Sequence, residues 1–199
     1  DRPLYITAHL DHPAFVVERI IGPGTIELSF RGGVMDVFFE AAPVEVFTRN
    51  GHRVSGALTS TLDTKSASGK HYVCELIGPH AREVQRLDIG RWEMPAKPHI
   101  DEQGILHTPA CDDLSAVAAA LQTFDELIEA AKQSGAALTD TRLLFTRAEE
   151  IGFIGAIAAT RDQTMPRGSV VIALENSRAF AESPVGGGPI VRVGDRVSV

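Results

Sequence analysis

The 199 residues are 44% hydrophobic and 23% charged, globular proportions that allow one sizeable core or two small ones. A formal charge of -7 gives no electrostatic case for a nucleic-acid partner, and no apolar run reaches the roughly 18 residues of a membrane span. Two cysteines, Cys74 and Cys111, with no Cys-x-x-Cys spacing, argue against a disulfide framework and a thiolate zinc site, so a reducing, cytoplasmic setting is expected.

The chain opens at Asp1 without an initiator Met or a signal-peptide pattern, and it is expected to be part of a longer protein. Residues 3–10 form a short apolar run that reads as a buried strand, broken by Pro13 after His9-Leu10-Asp11-His12. From Phe15 to about Gly104 the texture changes. Short β-rich runs at 16–21, 25–30, 34–39, 44–48, 53–58 and 72–77 alternate with Gly-Pro-Gly, Arg-Gly-Gly, Asn-Gly and Gly-Pro turn signals, a rhythm that suggests a small barrel or sandwich. Residues 60–70 are polar and read as a loop. After Gly104, Leu114, Val117, Ala118, Leu121, Phe124, Ile128 and Ala131 predict an amphipathic helix over 113–132, closed at Ser134-Gly135. The apolar block at 141–146 reads as a strand covered on both faces, 151–161 as a second helix, 169–174 as another buried strand and 190–193 as a last short one.

The expected fold class is therefore α/β: a layered sheet with flanking helices, made of residues 1–14 and 105–199, with a small β-barrel-like domain of residues 15–104 inserted after the first strand.

Three predicted core strands end in side chains able to bind a metal: His9, Glu149 with Glu150, and Glu175. In open α/β sheets, ligands bind outside the carboxyl ends of the strands. If the strands are parallel, these groups share one edge with Asp112 and Asp113 at the start of the long helix. One histidine with several carboxylates suits Zn²⁺, Mn²⁺ or Co²⁺. Two ions about 3.5–4 Å apart can poise a hydroxide between them, and a carboxylate that binds neither can take its proton. Glu149 and Glu150, adjacent on an extended backbone, point to opposite sides and so divide into a base and a ligand. Plainer readings stand beside these. The Glu pair could be an acidic turn at a helix N-terminus, Asp113 a helix N-cap, His9 with Asp11 a satisfied core histidine, and Glu175 a surface turn residue. His12, His52, His71, His80, His99 and His107 read as ordinary surface or loop histidines, and Cys111 as a small buried hydrophobe. Gly186–Gly188 lacks the Lys-Ser/Thr of a phosphate loop and reads as a cleft wall.

Ala8-His9-Leu10-Asp11, Cys111-Asp112-Asp113-Leu114-Ser115-Ala116, Ala148-Glu149-Glu150-Ile151-Gly152 and Ala173-Leu174-Glu175 together resemble the ordered motifs of the co-catalytic metallopeptidases. A β domain inserted between His-x-Asp and Asp-Asp resembles the M42 aminopeptidases of the glutamyl and tetrahedral aminopeptidase type. The resemblance implies a metal-dependent aminopeptidase that hydrolyses N-terminal residues of peptides by a metal-bridging hydroxide. It implies two divalent ions, zinc first, with cobalt or manganese as alternatives. Asp112 would bridge the ions, His9 and Glu175 would complete one site, and Glu150 would hold the other. Glu149 would be the general base and Asp11 would orient His9. The Asp112–Asp113 peptide would be cis. A homo-oligomer is implied for the full-length protein. Leu114 stands where the family commonly has Arg, and Glu175 where it usually has Asp. The family's final histidine ligand lies far downstream, whereas every histidine here lies at or before His107. Two other expectations accompany this one: an inactive assembly or binding module of the same fold, and a deacylase or carboxypeptidase on similar machinery.

Overall fold

The structure is a computed structural model that describes residues 2–62, 69–94, 97–135 and 140–192. It contains a three-stranded parallel sheet and a closed six-stranded barrel, with two helices beside the sheet.

The sheet has β1 (Leu4–His9) in the middle, flanked by β10 (Thr141–Thr146) and β11 (Val170–Ala173). All three run parallel, with Leu4 opposite Thr141 on one side and Val170 on the other. The barrel strands are β2 (Ala14–Gly22), β3 (Thr25–Arg31), β4 (Pro43–Phe47), β5 (Arg53–Leu62), β6 (His71–Ile77) and β7 (Ile89–Trp92), closing in the order β2-β3-β6-β5-β4-β7. A short hairpin of β8 (His99–Ile100) and β9 (Leu106–His107) follows. Next come α1 (Cys111–Ser134), which ends on Gly135 in the left-handed conformation, and α2 (Ile154–Arg161) after β10.

Alternation along the barrel strands puts Phe15, Val17, Ile26, Leu28, Val44, Val46, Val54 and Cys74 inside with at most 2% exposure. Each such large apolar side chain contributes about 1.5–3 kcal/mol by leaving water. Phe15, Phe30, Phe39, Tyr72 and Trp92 fill one part of this interior, with ring centroids 4.7–6.4 Å apart. The expected strand at 34–39 is instead a 3-10 turn over Asp36–Phe39. Its β-branched and aromatic residues mimic a strand, but packing overrides the pattern: Phe39 enters the barrel and stacks on Tyr72 at 4.7 Å.

Other boundaries move for local reasons. The strand β7, which closes the barrel, is too short and too interrupted by Gly90-Arg91 to show in the sequence. β5 extends through Ser60–Leu62 into the expected loop, whose positions 63–68 lie outside the described residues. The second helix begins at Ile154 rather than 151, because Gly152 and Phe153 both take positive φ and make a turn first. Residues 190–192 form no strand, and 193 lies outside the described residues. The buried face of α1 is also rotated from the expected one. Asp113, Ala116 and Ala120 face inward, whereas Leu114 and Leu121 are exposed. Small residues let the helix lie close against β1.

Candidate metal centre

The three parallel strands end at one edge of the sheet, and the ladder runs one residue further on each side. Leu10 N–H donates to Thr146 O at 2.9 Å, and Leu174 N–H to Thr7 O at 2.8 Å. This delivers the 147–150 loop and Glu175 to the place where β1 presents His9. The start of α1 reaches the same edge. Its Asp112 and Asp113 have non-helical backbone angles, and the peptide between them is cis, as the resemblance implied.

His9 is 3% exposed. Its Nε2 lies 3.1 Å from Asp112 Oδ1, 3.7 Å from Glu175 Oε1 and 3.8 Å from Glu149 Oε2. Its Nδ1 meets the backbone carbonyl of Asp11 at 2.8 Å, while the Asp11 carboxylate stands 3.7 Å away. That carboxylate instead accepts from the backbone N–H groups of Glu149 and Glu150, at 3.2 and 3.3 Å. Asp11 therefore fixes both the imidazole and the carboxylate loop, using its main chain for one and its side chain for the other. Glu149 turns toward His9. Glu150 lies beside the barrel, where a Cβ on Gly32 would come within 3.2 Å of its Oε2 and 2.8 Å of Pro13 Cβ.

Asp113 is fully buried and does not cap α1. Its Oδ2 accepts from the backbone N–H of His9 at 3.0 Å, and its Oδ1 from Asn176 Nδ2 at 2.8 Å. The same Asn176 amide lies 3.1 Å from the Cys111 carbonyl, and its Oδ1 lies 3.0 Å from Ser115 Oγ. This side chain ties the loop after β11 to the first turn of α1.

Burial, and after it the crowding of like charges, shows in the ionisation of the cluster. Burial, with Asp112 and Glu149 next, pushes the Glu150 carboxyl up to about 7. Burial, with Asp112 and Asp113 next, does the same for Glu175, also to about 7. Burial raises Glu149 and Asp113 as well. For His9, burial acts to lower the pKa, but Glu175 and the other acceptors around it outweigh burial and raise it. Carboxylates held together in this way are the groups that a divalent cation relieves. Ligand atoms of His9, Asp112, Asp113 and Glu175 lie within 4.8 Å of one another, as do those of His9, Glu149 and Glu150. Two overlapping sets that share one imidazole and are otherwise all oxygen fit divalent metal ions.

A cavity of about 430 Å³ opens next to Asp112 and Glu150, walled by Pro13, Val34, Phe38, Trp92 and Met94. His12 also lines it. Its Nδ1 is buried with no hydrogen-bond partner among the described residues.

A family model described as M42 glutamyl aminopeptidase matches residues 2–199. The chain belongs to the M42 glutamyl aminopeptidase family. No curated protein matches it. Among solved structures, it is similar to the TET aminopeptidase of a marine sediment Thaumarchaeota archaeon, with 20% identity and a TM-score of 0.68, covering 91% of this chain and 52% of that one. It is also similar to the TET1 peptidase of Pyrococcus horikoshii, with 19% identity and a TM-score of 0.62, covering 88% and 53%. The aminopeptidase of Desulfurococcus kamchatkensis matches at 18% identity and a TM-score of 0.61, covering 90% and 49%. At such identities the likeness is one of fold, and the chain spans about half the length of these solved chains.

In this M42 chain, all six residues singled out from the sequence — His9, Asp11, Asp112, Glu149, Glu150 and Glu175 — meet at the one edge. Asn176 is the residue that sequence reasoning passed over. Its only signal is its place directly after Glu175. His71, read as an ordinary surface or loop residue, is instead buried in the barrel wall, with Nδ1 2.7 Å from Glu27 Oε1.

Proposed function

We propose that this chain carries much of the catalytic unit of a metal-dependent aminopeptidase, which removes N-terminal residues from peptides. The observation that carries the reading is the set of carboxylates gathered around His9 Nε2 at the strand ends, in a chain of the M42 family. We assign His9 and Glu175 to one ion, Glu150 to a second and Asp112 to both, with zinc as the first choice for such donors and cobalt or manganese as alternatives. Bound divalent ions supply a water of lowered pKa and polarise the carbonyl they touch.

The remaining work falls to the chain's own groups. Glu149 takes the proton of the attacking water on its carboxylate and passes it to the leaving amine. Asp11 holds His9 and the Glu149–Glu150 backbone in place. Residues 1–14 and 105–199 form the catalytic unit in this reading, and 15–104 the inserted barrel.

The Pyrococcus horikoshii TET1 peptidase is described as assembling into a tetrahedron or a large octahedral shell. We extend a homo-oligomer to the full-length protein here, and place it in the cytoplasm. No helix among the described residues is long and apolar enough to cross a membrane.

Replacing Glu149 with Gln in the full-length protein tests the base assignment. Hydrolysis of an aminoacyl-nitroanilide is expected to slow by about 10²–10⁴-fold, with the metal content unchanged. Activity at the original level would remove Glu149 from that role.

A further inference from the structure

The barrel carries a second cluster of potential ligands that shares no residue with the one around His9. His52 begins the approach to β5, while His80 and Glu83 belong to the 3-10 turn Pro79–Glu83. His52 Nδ1 lies 2.7 Å from Glu83 Oε2, and His80 Nδ1 lies 2.6 Å from Glu83 Oε1. The two imidazoles stack face to face, with centroids 3.8 Å apart and planes 23° from parallel. Ligand atoms of all three residues lie within 4.8 Å of one another.

Each half of this arrangement is fixed by its own backbone. In the β4–β5 turn, Gly51 N–H donates to Thr48 O at 2.9 Å, and Thr48 N–H to His52 O at 3.0 Å. His52 N–H donates to Thr48 Oγ1 at 3.1 Å. In a 3-10 turn, residues three apart stand one above the other, which puts His80 and Glu83 on one face. Pro79 stiffens the start of that turn. Asn50 Nδ2 adds a contact to Glu83 Oε2 at 3.3 Å. The side chains of His52 and His80 are 43% and 42% exposed, so an ion could reach them from solvent.

As the protein stands, both imidazoles must present Nδ1–H to the carboxylate, because ionised Glu83 only accepts. A metal ion could take the place of those two hydrogen bonds if the stacked rings turn until both in-plane Nδ1 lone pairs meet at one point; each ring's proton then moves to Nε2, where water accepts from it, and the ion takes both Nδ1 nitrogens and one carboxylate oxygen. With two of three donors imidazole nitrogen, the set selects borderline ions such as Zn²⁺, Co²⁺, Ni²⁺ or Cu²⁺ over Mg²⁺ or Ca²⁺. Three protein ligands would also leave a coordination position open to water or to a group from another molecule.

We propose that His52, His80 and Glu83 form a divalent transition-metal site on the barrel, separate from the strand-end cluster. The test uses the protein stripped with a chelator and then titrated with Zn²⁺. Long-range ¹⁵N–¹H spectra follow the imidazoles, and calorimetry counts the ions. In the unaltered protein, the Nδ1 signals of both His52 and His80 are expected to move together on saturation. In His80→Gln, and separately in His52→Gln, one ion per chain should bind at least about tenfold more weakly, while the remaining ions bind as before. Stationary ring signals at saturation, or unchanged ion number and affinity in both variants, would overturn the site. If a substitution disturbs folding, the spectra of the unaltered protein decide alone.

Discussion

Glu27 shows how much a single side chain in the barrel wall depends on its partners. It is 5% exposed and accepts from His71 Nδ1 at 2.7 Å on one oxygen and from the Arg19 guanidinium on the other. Burial alone would raise its pKa, but the hydrogen bonds from Arg19 and His71 outweigh burial and hold it below the ordinary 4.5. A carboxyl lowered on folding stabilises fully above its unfolded pKa, and that contribution fades as pH falls through the folded value. Unfolding by urea should therefore show a stability loss below about pH 4.5 that Glu27→Gln makes smaller. At pH 7 the same substitution should cost about 1–3 kcal/mol, because His71 loses a charged acceptor. Equal acid dependence in both proteins would contradict the assignment. At this scale, legibility followed chemistry. His9, Glu149, Glu150 and Glu175 could be picked out because such groups are unusual at the ends of apolar strands, and Asp112 because the long helix opens on the same edge. Asn176 has no such signature. Its importance comes from Asp113 and Cys111, which lie more than sixty positions away in the chain.

Among the elements, the link between β10 and α2 bears most directly on the site, since it holds the two adjacent glutamates. Gly155, in the first turn of α2, packs on the backbone of Arg147. A Cβ there would stand 2.1 Å from the Arg147 carbonyl oxygen. Gly155→Ala must push the helix away from the strand end, at a cost of about 1–3 kcal/mol. The 148–153 turn lies between these two points and should move with the helix. Thermal unfolding at a lower temperature, with the activity proposed for the full-length protein reduced beyond the fraction unfolded, is the expected pair of results; an unaltered midpoint would show that the helix accommodates the methyl group. The positions of β1, β10 and β11 were legible because their apolar blocks are bounded by clear breaks, and most barrel strands because turn signals separate them; the burial expected of β10 and β11 is not found, since every β11 position is exposed and no β10 position is buried. The 3-10 turn at Asp36–Phe39 and the four-residue β7 were not legible. Both are shaped by barrel closure, which local periodicity does not encode. The rotated face of α1 has a similar cause. Counting apolar residues favours Leu114 and Leu121, whereas close packing on β1 favours Ala116 and Ala120.

Over the whole molecule, the two bodies of structure are built very differently. The barrel closes on itself between Ala14 and Trp92. The parallel sheet is open, and Val170, Val171 and Ile172 of β11 remain 46–47% exposed. The broad plan, a parallel sheet interrupted after its first strand by a β domain, was readable from the change in texture after that strand and again before the long helix. The central position of β1 has a consequence in time rather than in space. This strand is synthesised before the barrel, yet its neighbours begin only at Thr141 and Val170. At typical translation rates, an apolar strand waits on the order of ten seconds for its partners, while the barrel residues have already emerged together. Pairings so distant in sequence are slow to form. During refolding, pulsed hydrogen exchange should find the amides of β3 and β6 protected well before those of β1, and the reverse order would count against this sequence of events. The strand that presents His9 would then be the last to find its place, so the ligands of the candidate metal centre assemble only as the chain finishes folding.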